Sequence, residues 1–177
     1  MLALKIHVPK DIIIDDREAA EAARMGVSEL VREHLRTRDR ATARNKNGLP
    51  KSSYWADAAD SVTSEVNGAV ATVTVEKEGA ALHYYGGIVY PKTGKALAIP
   101  LDASVAGKNP REVNALTDYI ALMWPKNSSH GFLKDEETGD LLWLLIPKAT
   151  IKADESVMPA VAEIEREATE AILEAAT

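Results

Sequence analysis

Leu2, Leu4 and Ile6 alternate with Ala3, Lys5 and His7, and Val8 continues the apolar series up to Pro9. A period of two puts the apolar set on one face of an extended chain, so the pattern predicts a short half-buried strand stopped by the proline. A second apolar run, Ile12 to Ile14, leads to Asp15 and Asp16. Either aspartate can cap a following helix, because its carboxylate accepts hydrogen bonds from the unpaired amides of the first turn. Ala19, Ala22, Ala23, Val27, Leu30, Val31 and Leu35 then recur at spacings of three and four, which predicts a helix running to the mid-thirties or further. Gly26 is its weak point, by about 1 kcal/mol relative to alanine. Asn47, Gly48 and Pro50 mark the latest end it can have.

Ser53 opens a short helical segment over Tyr54-Trp55-Ala56-Asp57-Ala58-Ala59-Asp60. Asn67-Gly68 turns into a β-branched run from Val70 to Val75, and this part reads as a hairpin. Further strands are expected at Ala81 to Tyr85 and Ala96 to Pro100. A second hairpin is expected from Gly131–Leu133 and Leu141–Ile146 around the polar turn Glu137-Thr138-Gly139-Asp140. Between residues 103 and 127 the chain has two readings. Val113, Leu116, Ile120 and Leu122 can lie on a short helix after Pro110, or Gly107-Lys108-Asn109-Pro110 and Pro125 can bound an exposed insertion. Val161, Ile164, Ala168 and Ile172 give a last helix an apolar face with glutamates opposite. The order helix, strands, helix predicts an α+β fold, a mainly antiparallel sheet packed against a long N-terminal helix and a C-terminal helix. A length of 177 residues favours one domain. On this reading residues 1–15 form an N-terminal strand or arm, and residues 16–177 form the domain with its possible insertion at 103–127.

Composition narrows the function more than the fold. No cysteine is present, so disulfide frameworks, thiol nucleophiles and thiolate metal sites all drop out. Leu141 to Pro147, the longest strongly apolar run, falls far short of the roughly 18–20 residues of a membrane span, and no signal-peptide zoning opens the chain. The expectation is a protein made in a cytoplasm, with no membrane contact. A net charge of −6 argues against a dedicated nucleic-acid binder. The charge is unevenly spread. Arg32 to Lys51 holds seven basic residues against two acidic ones, a net of +5, while Asp154 to Thr177 holds seven acids against Arg166, a net of −6. Such a layout can steer one subunit's basic end onto the next subunit's acidic end in a contact that closes into a ring. The plainer alternative is two solvated helix faces of opposite sign.

No catalytic constellation emerges. His7, His34, His83 and His130 lie far apart, with no pair at the i, i+4 spacing that puts two metal ligands on one helical face. Asp135, Glu136, Glu137 and Asp140 lack the alternating ligands and closing glutamate of a calcium loop, and read as a solvated hairpin tip. Gly94-Lys95 ends like a phosphate-binding loop, but Gly87 is too far back and Ala96 stands where a hydroxyl is needed. No serine among Ser52, Ser53, Ser61 and Ser64 has a glycine-flanked elbow. No catalytic, cofactor-binding or metal-ligating residue is therefore assigned, and no cofactor is expected.

The segment Arg44-Asn45-Lys46-Asn47-Gly48-Leu49-Pro50, followed by Ser53-Tyr54-Trp55-Ala56-Asp57-Ala58-Ala59, resembles a recurring stretch of phage virion morphogenesis proteins, the tail-completion family of Mu-like and related phages. The resemblance continues through His83-Tyr84-Tyr85-Gly86-Gly87-Ile88-Val89-Tyr90-Pro91-Lys92 and Leu97-Ala98-Ile99-Pro100. It extends more loosely through Gly131-Phe132-Leu133, Ile146-Pro147-Lys148 and the terminal helix. It implies a structural protein, not an enzyme, that completes the tail or joins it to the head-side connector as a ring of subunits. Other tail or connector proteins are the implied partners, DNA contact is at most incidental, and the implied location is host cytoplasm during assembly and then the tail or head–tail junction. Candidate interface residues are Arg32, Arg36, Arg40 and Arg44 at the basic helix end, with Tyr84, Tyr85, Gly86, Gly87 and Tyr90, whose flexible backbone and amphipathic rings suit a contact surface. A glycine bulge with tyrosines in the core is the alternative for the latter group. Two competing functions are a small hydrolase of a mobile element using an unidentified acidic site, and a DNA-binding accessory protein.

Overall fold

The computed structural model describes residues 1–7, 15–41, 49, 52–114 and 119–177. Val8, Pro9, the run Ile12 to Ile14, the helix-end signals Asn47, Gly48 and Pro50, and Leu116 lie outside the described residues. The fold is α+β. Where length favoured one domain, close contacts gather the chain into two compact units: residues 1–42, 53–86 and 152–177 in the first, and 43–52 and 87–151 in the second.

In the first unit, Oδ1 of Asp15 accepts the amide of Arg17 at 2.9 Å and caps helix α1, Asp16–Ala41. Of the residues at three-and-four spacing, Ala19, Ala23, Val27, Val31 and Leu35 are buried, while Ala22 and Leu30 are half-buried at the edge of the same core. Strands β1 (Leu2–His7), β2 (Val62–Asn67) and β3 (Val70–Val75) form an antiparallel sheet in the order β1-β3-β2, so the N-terminal strand is an edge of this sheet. Leu2, Val75 and Val62 stand side by side across it, and so do Ile6, Ala71 and Val66. The other face carries Lys5, Thr72 and Glu65 in register, an alternation that fits a sheet covered on one side. Helix α1 packs on β2 and β3, beside helix α2 (Tyr54–Asp60).

Helix α5, Val161–Ala175, buries Ile164, Ala168 and Ile172 and packs along α1. Gly26 sits at this crossing, where a Cβ would come within 3.0 Å of the Ala171 Cβ. The glycine that weakens α1 therefore lets α5 lie close. One expected strand is overturned: residues 80–85 form helix α3, Ala80–Tyr85. An unbroken short apolar run fits a buried strand or a helix equally well, and the αL residue Gly79, at φ +90°, starts a helical turn here.

In the second unit, β4 (Gly87–Val89) pairs with β9 (Ala149–Ile151). Strands β5 (Leu97–Pro100), β6 (Ile120–Met123), β7 (Gly131–Asp135) and β8 (Leu141–Ile146) form an antiparallel sheet in the order β5-β8-β7-β6. The segment 103–127 thus contributes a short helix, α4 at Pro110–Asn114, and a strand at the sheet edge. Ile120 and Leu122 are strand residues and not part of a helix. Val105, Leu142 and Trp143 are buried together, with Val113, Ile120 and Leu133 packed against them.

Candidate interaction surfaces

The basic end of α1 is matched by partners within the chain. Arg32 donates to the Val62 carbonyl at 3.0 Å and lies 3.7 Å from Glu29. Arg36 lies 3.4 Å from Asp60, and Arg40 bridges Glu33, whose carboxyl its hydrogen bond and charge hold below the usual range. Arg44 lies outside the described residues. These pairs are largely exposed, and each contributes little to stability. Their effect is to lower the net charge that this face presents.

Arg38 does something different from its neighbours. Its guanidinium lies 4.7 Å from the centre of the Trp55 ring, donates to the Ser156 hydroxyl at 3.0 Å, and pairs with Asp154. Asp154 accepts the Ser156 amide at 3.1 Å and its hydroxyl at 2.5 Å. Bonds from Ser156 first, and from Arg38 second, hold the Asp154 carboxyl below the usual carboxylate range. The His83 ring lies 5.1 Å from Trp55 and 5.2 Å from Tyr54, where burial, assisted by the Arg38 charge, lowers its pKa and favours the neutral imidazole. Desolvation and then the Glu78 charge raise the Tyr54 phenol, which donates to the Glu78 carbonyl at 2.9 Å. This cluster ties α1, α2 and α3 to the segment before α5. The Ser156 hydroxyl donates to a carboxylate, while His34 meets the Ser156 carbonyl at 2.9 Å, so the hydroxyl lacks the histidine base that would activate it.

The tyrosine–glycine segment divides between the units. Tyr84 is half-buried against the first unit's core, and its ring meets that of Tyr85 edge-on at 4.8 Å. Tyr85 is 69% exposed. Gly86, at φ +73°, takes a left-handed conformation that favours glycine, and the chain passes into the second unit at Gly87. Tyr90 there is also largely exposed. Of the five residues, Tyr84 is half-buried against the core, while the rings of Tyr85 and Tyr90 are exposed.

A groove in the second unit drew no attention in the sequence. It encloses about 720 Å³ over a floor of Ala98, Leu122, Leu133 and Leu145, with the Trp124 ring as a wall. Lys92, Lys95 and Arg111 line its rim, and no carboxylate lines it among the described residues. Trp124 is held by its indole N–H, which donates to the Ser128 carbonyl at 3.0 Å, and by the bare backbone of Gly131, where a Cβ would lie 2.2 Å from the ring. The local signal for it in the sequence is slight: Gly94-Lys95, which fails as a phosphate-binding loop, lies on its lining between Pro91 and Pro110.

Among the described residues no group of three or more His, Asp or Glu is placed to hold a metal ion, and no helix is long and apolar enough to cross a membrane. Asp135 at the acidic hairpin tip accepts the amides of Glu137 and Thr138, at 2.8 and 3.0 Å, as a turn residue does. Neither a protein-family model, nor a curated protein, nor a solved structure matches this chain.

Proposed function

We propose that this chain is a structural protein of a bacteriophage or prophage particle, acting in tail completion or head–tail joining through self-assembly and partner binding. The observation that carries this reading is the surface of the second unit. Ile88, Tyr90, Ile99, Tyr119, Leu122, Met123, Trp124 and Leu141 are each more than a third exposed there, and the buried cluster among the described residues is Val105, Leu142 and Trp143. Water-exposed apolar side chains at this density mark a surface that another protein covers. The resemblance to tail-completion proteins supplies the kind of assembly, a ring of subunits contacting other tail or connector proteins. The groove and the sheet around it give such an assembly adhesive area, and Tyr85 and Tyr90 add rings that can bury flat surface while keeping a hydroxyl in water.

The test is genetic and visual. Deleting the reading frame from the element that encodes it should leave heads and tails that do not join, or tails of abnormal ends, in electron micrographs, and the chain supplied from a plasmid should restore whole particles. Normal particles from the deletion would overturn the proposal.

A further inference from the structure

We propose that the groove of the second unit receives the acidic edge of α5 from a second copy of this chain, so that copies associate head to tail. The inference rests on the proposed function only in taking the protein to act as an assembly, and its chemistry comes from two surfaces and their charges. The second unit holds ten basic residues and seven acidic ones, a net of +3, so the first unit carries −9 of the chain's −6. Three of these cations, Lys92, Lys95 and Arg111, lie beside the open apolar floor. Lys95 and Arg111 are exposed on the groove rim, with no ion pair to a described carboxylate.

The complementary surface lies on the first unit. Glu163, Glu167, Glu170 and Glu174 follow one another along α5 at spacings of four, three and four, which stacks them in one stripe. Glu167, Glu170 and Glu174 rim a shallow trough between α1 and α5 whose floor is small: Ala22, Gly26 and Ala171. No cation lines it among the described residues, and the one bridge to its rim, Arg166 to Glu170, is long at 3.9 Å. Met25, 63% exposed, projects at the same trough. Each surface therefore combines apolar area with charges of a single sign, and the signs are opposite.

Exposed ion pairs add little affinity singly, but opposed patches speed encounter and fix which faces meet. The affinity would come from burying Met25, which a monomer leaves largely in water, and the half-exposed Trp124. Because the two faces differ, a pair of bound copies still offers one free face of each kind, the groove on one copy and the α5 edge on the other. Such a contact repeats into a ring or a filament and does not stop at a dimer.

The experiment uses the full chain and follows mass by sedimentation over a concentration series at low and moderate salt. Two variants are made at exposed positions, Lys95→Glu with Arg111→Glu on the groove, and Glu170→Lys with Glu174→Lys on the helix, with thermal melts to confirm that each folds. The wild-type chain should associate, more so at low salt, and each variant alone should associate about tenfold more weakly or worse. An equal mixture of the two should regain association, since each supplies the sign that the other now needs. Wild-type association that neither variant alters, or a mixture no better than its parts, would overturn the assigned faces and leave assembly as such standing. A wild-type chain that stays monomeric throughout would overturn the contact, while the particle morphology would still decide the phage role. Groove substitutions that weaken binding to a short DNA duplex and leave association untouched would give the groove to a phosphate backbone instead.

Discussion

Among the described residues, the unit built around α1 has eighteen buried apolar residues in one cluster to which the sheet, α1, α2 and α5 all contribute, whereas the buried cluster of the unit of β4 to β9 is Val105, Leu142 and Trp143. Exposure runs the other way. The first unit leaves Met1, Met25, Tyr85, Val161 and Leu173 open among its large apolar side chains, and the second leaves eight open over fewer residues. A sheet covered by a 26-residue helix buries its apolar face within the chain. Among the described residues the second unit has the five-residue α4 as its only α-helix, so much of the apolar surface of its sheet stays at the boundary with water. The contrast separates a unit with a large core of its own from one that leaves more of its apolar surface open to water.

The strongest test of this contrast removes the second unit's central side chain. Trp143 is 1% exposed, and Trp143→Ala should cost about 3–5 kcal/mol. Hydrogen exchange should then show β5 to β8 losing protection while α1 and α5 keep theirs. Equal loss in both units would mean that they unfold as one, and the contrast would fail.

Leu35→Ala in the first unit should cost about 2–5 kcal/mol, and its larger core should still hold a folded state with a lowered melting temperature. Unfolding at ambient temperature would show that core to be less self-sufficient than its packing implies. A smaller effect is expected at Gly131. An added Cβ must displace the half-exposed Trp124 ring, so Gly131→Ala should cost about 1 kcal/mol and shift indole emission to longer wavelength as the ring enters water. Unchanged emission would count against the ring's seat on the glycine.

The smallest effect concerns pH. Asp154 has a folded-state pKa held below its unfolded value, near 3.9, so its bonds to Ser156 and Arg38 stabilise the fold fully above that value. The contribution is lost as pH falls through the lower folded value. The difference in melting temperature between the wild-type chain and Asp154→Asn should therefore be constant near neutrality and shrink below about pH 4. A difference that persists at lower pH would assign the effect to geometry and not to charge.

Much of the first unit was legible from spacing alone. The period of α1, the Asp15 cap, the β2–β3 hairpin and the apolar face of α5 are each set by residues within a few positions of one another. Helix α3 was not legible, because Ala80 to Tyr85 carries no period and its state depends on Gly79 and on the core that Ala80 and Tyr84 meet. The partners of the α1 arginines are not legible in the sequence, since nothing local reveals that Val62 and Asp60 come to meet Arg32 and Arg36. That Lys92, Lys95, Arg111 and Trp124 share one groove was not legible for the same reason: its lining draws on segments from Pro91 to Pro147.

By itself, then, the sequence determined the α+β class, the helices and hairpins that follow from periodicity and caps, the absence of thiol chemistry and the unequal placement of charge. Tertiary structure decided which of those charges are paired within the chain, how the residues divide into two units, and where apolar surface remains open beside cations. The reason is physical. Period and capping are short-range properties of consecutive residues, whereas compensation of charge and closure of a core depend on distances between residues that lie scores of positions apart.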